Sequence, residues 1–140
     1  MKKRVLVRGV KTVSFEEGFV DELQREEGSI PRMLLIECAA QLVSWLVLCS
    51  TDFEKIPLIA KIDLARIERG VRCGEAIALE ARVRSWNEDG AIVDCDLSAD
   101  DGVIASGVHC LCSFIESRTL VDPQEMKLRF NELAKAAHVE

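Results

Sequence analysis

The sequence predicts an α+β fold in which a curved antiparallel sheet wraps around one long central helix, with an extra helix at the C-terminus. The first observation is that Pro31–Ser50, PRMLLIECAAQLVSWLVLCS, is apolar on almost every side. The second is that alternating, turn-bounded segments follow it. A short sheet cannot enclose an apolar helix alone, so we expect a second copy to complete the fold through a continuous sheet.

One polar line interrupts the apolar surface of the central helix. Glu37, Gln41 and Ser44 are spaced by four and seven residues from the first of them, which puts them on one helix face. Burial of a carboxylate raises its pKa and is costly unless the group is paired, so such a residue is a candidate for chemistry. The alternatives are a core helix whose Glu37 is satisfied by neighbours, and a membrane span, which these polar residues disfavour.

The segments before and after the helix are predicted as strands, loops and turns. Arg4–Phe15 is rich in β-branched residues and is predicted as a first strand, and Glu16–Ile30 as a loop with one short helical turn. Thr51–Lys55 is predicted as a turn. Four further strands are expected at Leu58–Ile67, Glu75–Trp86, Ala91–Ala99 and Val103–Ile115, with hairpin turns at Asn87–Gly90 and Asp100–Gly102.

The C-terminal segment is predicted as an amphipathic helix over Asp122–Ala137. Asp122 is in the N-cap position, Pro123 is at the first helical position and Glu125 is two residues later, a capping-box arrangement. The apolar face consists of Met126, Phe130, Leu133 and Ala137. We therefore expect one domain over residues 1–118 and a helical extension over residues 119–140, packed on the domain or on a neighbour.

Composition excludes several classes of protein. The 140-residue chain carries a formal net charge of -6, with a pI near 5.0, which argues against nucleic-acid binding. The six cysteines form no C-x-x-C pair and are interpreted as reduced thiols of a cytoplasmic protein that does not enter a membrane. His109 and His138 are the only histidines, so no metal or cofactor is expected.

Three segments carry a resemblance to a known family. They are VSFEEGF at Val13–Phe19, IPRMLLIECAAQ at Ile30–Gln41 and AKIDLARIERGVRCGEAIALEARV at Ala60–Val83. Together they resemble the hotdog-fold β-hydroxyacyl-(acyl carrier protein) dehydratases of fatty-acid synthesis. The resemblance implies a catalytic His and a catalytic acid meeting across a dimer interface, with Glu37 in the acidic position.

The resemblance also identifies where this chain departs from the family. The position of the family's His is Leu23, fourteen residues before Glu37, and the glycine at the helix start is replaced by Arg32. Glu37 is the predicted catalytic residue, and Gln41, Arg32 and Met33 are predicted to bind substrate, the last two through amides at the helix N-terminus. Losing a positioned base costs on the order of 10²–10⁴-fold in rate.

Two other residues were considered as replacements for the missing His. His109 lies in the last predicted strand, where a histidine facing solvent or packing on a neighbour is the commoner case. Cys38 follows Glu37 directly, and one step along a helix turns its side chain by about 100°, towards the sheet. Neither residue is therefore expected to supply the base.

Three functions remain open from the sequence. The protein could be a dehydratase relative, impaired alone or acting as the non-catalytic half of a heterodimer with a His-bearing hotdog subunit. It could be a thioesterase in which Glu37 activates water. It could also be an acyl-binding module without catalysis. The expected partner is an acyl carrier protein or coenzyme A thioester, and cations at Lys61, Arg66, Arg69 and Arg72 could serve either one or simply form a solvated surface.

Overall fold

Five antiparallel strands form one sheet in the computed structural model, which describes residues 5–13 and 30–136. The strands are β1 Arg8–Val13, β2 Lys55–Ile67, β3 Ile77–Trp86, β4 Gly90–Ala99 and β5 Gly102–Glu116. The helices are α1 Arg32–Ser50, a single 3-10 turn at Ser117–Thr119, and α2 Pro123–Ala136. The order of strands across the sheet is β1-β3-β4-β5-β2, and every neighbouring pair is antiparallel.

The strand order explains why α1 crosses the sheet. β1 precedes α1 in the chain and β2 follows it, yet these two strands lie at opposite edges. The helix must therefore run over one face of the sheet, here called the inner face, to connect the edges. This is the predicted curved sheet around a central helix, and the fold prediction is confirmed.

The core lies between α1 and the inner face. On β4 every second residue is buried, which is the period expected when only one face of a strand is covered. The helix contributes a stripe that faces the same core. Fully burying each large apolar side chain contributes about 1.5–3 kcal/mol. The largest of the buried apolar side chains are Val43, Val47, Val71, Ile77, Leu79, Val93, Leu97, Ile104 and Val108.

Helix α1 begins and ends close to the predicted positions. Pro31 is the N-cap residue, with φ -55° and ψ 135°, so the helix starts one residue later than expected. Its last turn closes through the Phe53 amide, which donates to the Leu48 carbonyl at 2.7 Å. Asp52 and Phe53 adopt left-handed φ values of 52° and 63°, and the burial of the Phe53 ring holds this conformation.

Among the described residues, α1 is the one helix that is long and apolar enough to span a membrane by composition. In this fold it packs on the sheet and supplies a large part of the core.

The strand predictions were right in number and order but not in every boundary. The first strand was predicted over Arg4–Phe15 and is formed by Arg8–Val13. β2 begins at Lys55, three residues earlier than predicted, because it pairs with β5 over that whole length. β3 begins at Ile77 rather than Glu75. The loop predicted over Glu16–Ile30 lies almost entirely outside the described residues.

Helix α2 packs on the far end of α1. Its N-cap is Asp122, whose Oδ1 accepts a hydrogen bond of 2.9 Å from the Gln124 amide. The Phe130 ring lies 5.3 Å from the Trp45 ring and 5.8 Å from the Phe53 ring, measured between centroids. The predicted apolar face is thus used at Phe130, whereas Leu133 is 48% exposed. The second helix therefore contacts α1 near its C-terminal end, and no described residue of α2 reaches the N-terminal half of α1 in these ring contacts.

Gly90 gives a test of the packing between β4 and β5. A Cβ atom at Gly90 would lie 2.2 Å from the backbone oxygen of Cys112, which cannot move without breaking the strand pair. Gly90→Ala is expected to lower the free energy of unfolding by about 1–3 kcal/mol, measured by urea denaturation.

Gly9→Ala is the matched control for this prediction. A Cβ atom there would meet Leu46 and Leu42 at 3.5 and 3.6 Å, which is ordinary van der Waals contact. This variant should be neutral or slightly stabilising. Equal losses of stability in the two variants would contradict the proposed close approach at Gly90.

Candidate functional site

The N-terminal half of α1 has one side that the described residues leave open. Glu37 and Gln41 are exposed on this side, and Met33, one turn before Glu37, is 72% exposed. The sequence predicted full enclosure of α1 only with a second copy, and the single chain does not test that prediction. The inner face of the sheet covers one side of the helix, and α2 contacts it at Trp45.

Glu37 and Gln41 are in direct contact, as their four-residue spacing predicted. The Gln41 Nε2 donates a hydrogen bond of 3.1 Å to the Glu37 Oε1. This bond occupies one carboxylate oxygen and leaves the other open to solvent. Ser44, the third residue of the predicted polar line, donates instead to the Ala40 carbonyl at 2.9 Å. The polar site on α1 is therefore a Glu37–Gln41 pair without Ser44.

The start of α1 lies one turn from this pair. No side chain among the described residues caps the helix there, and the first backbone bond runs from the Leu34 amide to the Pro31 carbonyl at 3.0 Å. The amides of Arg32 and Met33, both predicted to bind substrate, belong to the first turn, where N–H groups have no partner within the helix. Helical side chains lean towards the N-terminus, so the Glu37 carboxylate extends towards this turn.

Cys38 is half-buried beside the site and is not suited to act as a nucleophile. Desolvation by burial raises the pKa of its thiol, the charge of Lys11 lowers it, and the charge of Glu37 raises it. Because the net shift is upward, the thiol stays protonated at neutral pH and carries little thiolate. This agrees with the prediction that Cys38 turns away from the chemistry. All six cysteines are free thiols.

His109 lies on the outer face of the sheet, away from α1. Its neighbours Val108 and Cys110 are buried on the inner face, so the His109 side chain points outwards. Its Nδ1 is 2.5 Å from the Oδ1 of Asp94, the residue opposite it in the strand register. The sheet therefore separates His109 from Glu37. Alternation along the predicted strand indicated its face, but the Asp94 partner depended on a register that the sequence did not show.

The predicted cations on β2 and in the connection to β3 are largely paired with carboxylates. Arg69 donates hydrogen bonds to Glu75 and Asp101, and these bonds, followed by the charges of the two carboxylates, hold its pKa above the ordinary value. Arg72 is exposed, and its backbone N–H donates to Glu75 at 3.1 Å. The ion pairs are Lys61–Asp63 at 3.4 Å, Arg66–Glu68 at 2.8 Å, Arg69–Glu75, and Arg69–Asp101 at 2.7 Å. These contacts favour a solvated, charge-balanced surface over a basic docking patch.

The structure does not test two of the sequence predictions, namely the role of Leu23 and the expectation about metal binding. Leu23, the position of the family's His, lies outside the described residues. In the described ranges 5–13 and 30–136, no group of three or more His, Cys, Asp or Glu side chains is arranged to hold a metal ion.

Comparison with known proteins supports the fold. Protein-family models give no match, and curated proteins give none either. Solved structures are similar in fold at low sequence identity. The yhdA protein of Lactococcus lactis, described as a thioesterase, has 4% identity and a TM-score of 0.68, covering 78% of this chain and 83% of its own.

Two further structures have the same fold. The thioesterase HI1161 of Haemophilus influenzae has 13% identity and a TM-score of 0.65, covering 79% of this chain and 73% of its own. The smu.793 protein of Streptococcus mutans, bound to acetyl CoA, has 11% identity and a TM-score of 0.65. The match covers 81% of this chain and 85% of the smu.793 chain. These structures support the hotdog fold that the resemblance implied, and they do not support the dehydratase family in particular.

The Arg69–Glu75 pair predicts a pH dependence of stability. Hydrogen bonds from the Arg69 guanidinium, and then from the Arg72 amide, lower the pKa of Glu75 from 4.5 to about 2. A carboxyl group whose pKa falls on folding stabilises the fold above the unfolded pKa, and this stability is lost as pH falls from about 4.5 to about 2. In Glu75→Gln, melting temperature should therefore fall less over this pH window than in the unmodified protein.

The control is Glu88→Gln, a substitution at an exposed turn position that has no ion pair among the described residues. Its melting profile should follow that of the unmodified protein. Added salt should reduce the difference made by Glu75→Gln, because the pair is partly exposed. A Glu75→Gln profile parallel to the unmodified one would contradict the lowered pKa.

Proposed function

We propose that this protein is a hotdog thioesterase that hydrolyses acyl-coenzyme A thioesters, with Glu37 as the base that activates water. The observation that carries the proposal is the exposed Glu37–Gln41 pair, bonded at 3.1 Å, one turn from an uncapped helix start. A base and a set of oriented N–H donors therefore share one side of one helix. Hydrolysis of a thioester needs these two groups and no second positioned acid or base.

The proposed reaction begins with the thioester carbonyl at the first turn of α1. Glu37 takes a proton from a water molecule as the water oxygen bonds to the carbonyl carbon. The carbonyl oxygen becomes negative and accepts hydrogen bonds from the Arg32 and Met33 amides, where the positive end of the helix dipole also stabilises it. The carbon–sulfur bond then breaks, and the departing thiolate takes the proton that Glu37 accepted from water, which restores the carboxylate. The products are a carboxylic acid and the thiol of coenzyme A.

Gln41 is proposed to position the catalytic carboxylate. Its amide N–H donates to one Glu37 oxygen, which fixes the rotation of the carboxylate and leaves the second oxygen for the water. An amide at this position also adds no charge that would compete with the base. Holding a reacting group in one orientation contributes to the rate because less freedom is lost on the way to the transition state.

Dehydration, the reaction of the resembling family, fits these residues less well. It requires one group to remove a proton from carbon and another to protonate the departing hydroxyl. On the open side of α1, the described residues offer Glu37 for one of these roles. His109 lies behind the sheet, bonded to Asp94. The similar structures that are named as thioesterases also favour hydrolysis.

Coenzyme A is proposed as the carrier in preference to acyl carrier protein. One similar structure is bound to acetyl CoA. An acidic carrier protein would need a cationic docking surface. Here Arg66 and Arg69 are already paired with carboxylates, which weakens their attraction for a second acidic surface.

A second copy is proposed to complete the site. β2 is an edge strand of 13 residues, so one row of its backbone groups is free to pair with the same strand of another chain. Leu58 on this strand is 48% exposed and Met33 at the helix start is 72% exposed. Pairing along β2 would bring a second chain beside the open side of α1. It would exclude bulk solvent from the site, apart from the reacting water, and strengthen the electrostatic interactions there.

Substitution of the carboxylate tests the proposed activity. In Glu37→Gln, release of free thiol from butanoyl-CoA should fall by about 10²–10⁴-fold, because no base remains at the site. Gln41→Ala should lower kcat with less effect on KM, since Gln41 acts through Glu37. Glu132→Gln, an exposed position on α2, is the control and should keep full activity.

A parallel assay distinguishes hydrolysis from dehydration. The purified protein is given 3-hydroxybutanoyl-CoA, and the enoyl product is followed separately from free thiol. Thiol release that depends on Glu37, without enoyl product, is the expected result. Enoyl formation that is lost in Glu37→Gln would overturn the thioesterase proposal in favour of a dehydratase.

The oligomeric state is predicted to be at least dimeric. Sedimentation equilibrium should give a mass of twice 15.6 kDa or a higher multiple. Leu58→Asp places a charge on the proposed β2 contact and should shift the protein towards monomer with a loss of activity. A fully active monomer of Leu58→Asp would refute this arrangement, whereas an unmodified protein that is itself monomeric and inactive would point to a heterodimer.

A further inference from the structure

A small apolar cavity lies between the N-terminal half of α1 and the inner face of the sheet. Its volume is about 10 Å³, close to the smallest space that can hold one water-sized group. Four of its lining residues are at most 2% exposed, and every lining residue is apolar, so water gains no hydrogen bond there. The lining residues are Leu35, Ile36, Ile67, Leu97, Ala105 and Val108.

The cavity lies beneath the turn of α1 that carries the proposed base. Leu35 and Ile36 immediately precede Glu37, so the same helical turn has the carboxylate on its open side and the cavity on its covered side. Ile36 is only half-buried and lies on the flank between these two sides. Ile36 is therefore the lining residue beside which an acyl chain would pass from a carbonyl near Glu37 to the cavity.

We infer that this cavity receives the end of the acyl chain, and that the substrates are thioesters of unbranched aliphatic acids. The inference rests on the proposed function and specifies its substrate class. A space of about 10 Å³ accepts a terminal methyl group, whereas an aromatic ring would have to displace the packed walls. Leu97 and Val108, on β4 and β5, are the buried sheet residues of the cavity wall and are proposed to limit the chain length.

The test compares two valine substitutions of equal size. Val108→Ala removes two methyl groups from the cavity wall, whereas Val93→Ala removes two from the same core at a position that does not line the cavity. Both valines are at most 2% exposed, so the two variants should lose similar stability. Values of kcat/KM are measured for butanoyl-, hexanoyl-, octanoyl-, decanoyl- and benzoyl-CoA.

The unmodified protein should hydrolyse its best straight-chain substrate at least about tenfold faster than benzoyl-CoA. Val108→Ala should move the optimum to a longer chain, with a change of about tenfold or more in the ratio of longer to shorter substrates. Val93→Ala should keep the original profile. Ile36→Ala, at a half-buried position that tolerates truncation more easily, should also move the optimum of kcat/KM to a longer acyl chain. It replaces Val108→Ala in the test if that variant does not fold.

Three results would overturn the inference. These are equal activity on benzoyl-CoA, the same profile in the Val108 and Val93 variants, and an unchanged profile in Ile36→Ala, which would leave the cavity as a packing defect only. Binding of S-alkyl-CoA thioethers, which cannot be hydrolysed, is measured by calorimetry over the same chain lengths. If no thioester is hydrolysed, the proposed function fails, while the length dependence of thioether binding in the same variants still decides whether the cavity holds the chain.

Discussion

An apolar helix that must be covered on more than one side is the constraint on which the rest of this structure depends. The sheet order places β1 and β2 at opposite edges, so α1 must cross one face of the sheet to connect them. Only that face of the sheet can bury apolar side chains of α1. α2 adds cover over the far end through Phe130 and Trp45. The described residues leave the N-terminal half of α1 open on the side where Glu37 and Gln41 lie. The proposed site is therefore located where residues 5–13 and 30–136 do not cover the central helix.

The fold could be predicted from the sequence because its signals are local. Period-two alternation marked the strands, the turn residues at Asn87–Gly90 marked a hairpin, and Asp122 with Pro123 marked the start of α2. Strand ends were less accurate, because they depend on pairing partners that lie far away in the chain. β2, for example, extends to Lys55 because β5 is long enough to pair with it there.

The candidate site could be predicted only in part, for a similar reason. The Glu37–Gln41 contact follows from helical spacing, and the structure has it at 3.1 Å. The exposure of the pair did not follow, because a nearly uniform apolar helix does not indicate which of its sides the sheet will cover. The carboxylate partners of Arg69 and His109 were equally hidden, since Asp101 and Asp94 meet them across strands and turns. Family resemblance identified the hotdog fold and predicted Glu37 as the acidic position, while the proposed reaction depends on which groups share one side of α1.

The attachment of α2 has a consequence for how the molecule comes apart. None of its described side chains is buried, and it is held by one ring cluster and by the contact of Lys127 with Asp52 at 3.6 Å. The sheet and α1 share a continuous core, so they open together, whereas α2 can detach at a much smaller free-energy cost. Trp45 reports detachment of α2 because Phe130 leaves its ring, and Trp86, whose ring is tilted against Phe114 at 4.7 Å between centroids, reports opening of the core. The fluorescence of the two tryptophans therefore distinguishes detachment of α2 from unfolding of the sheet and α1.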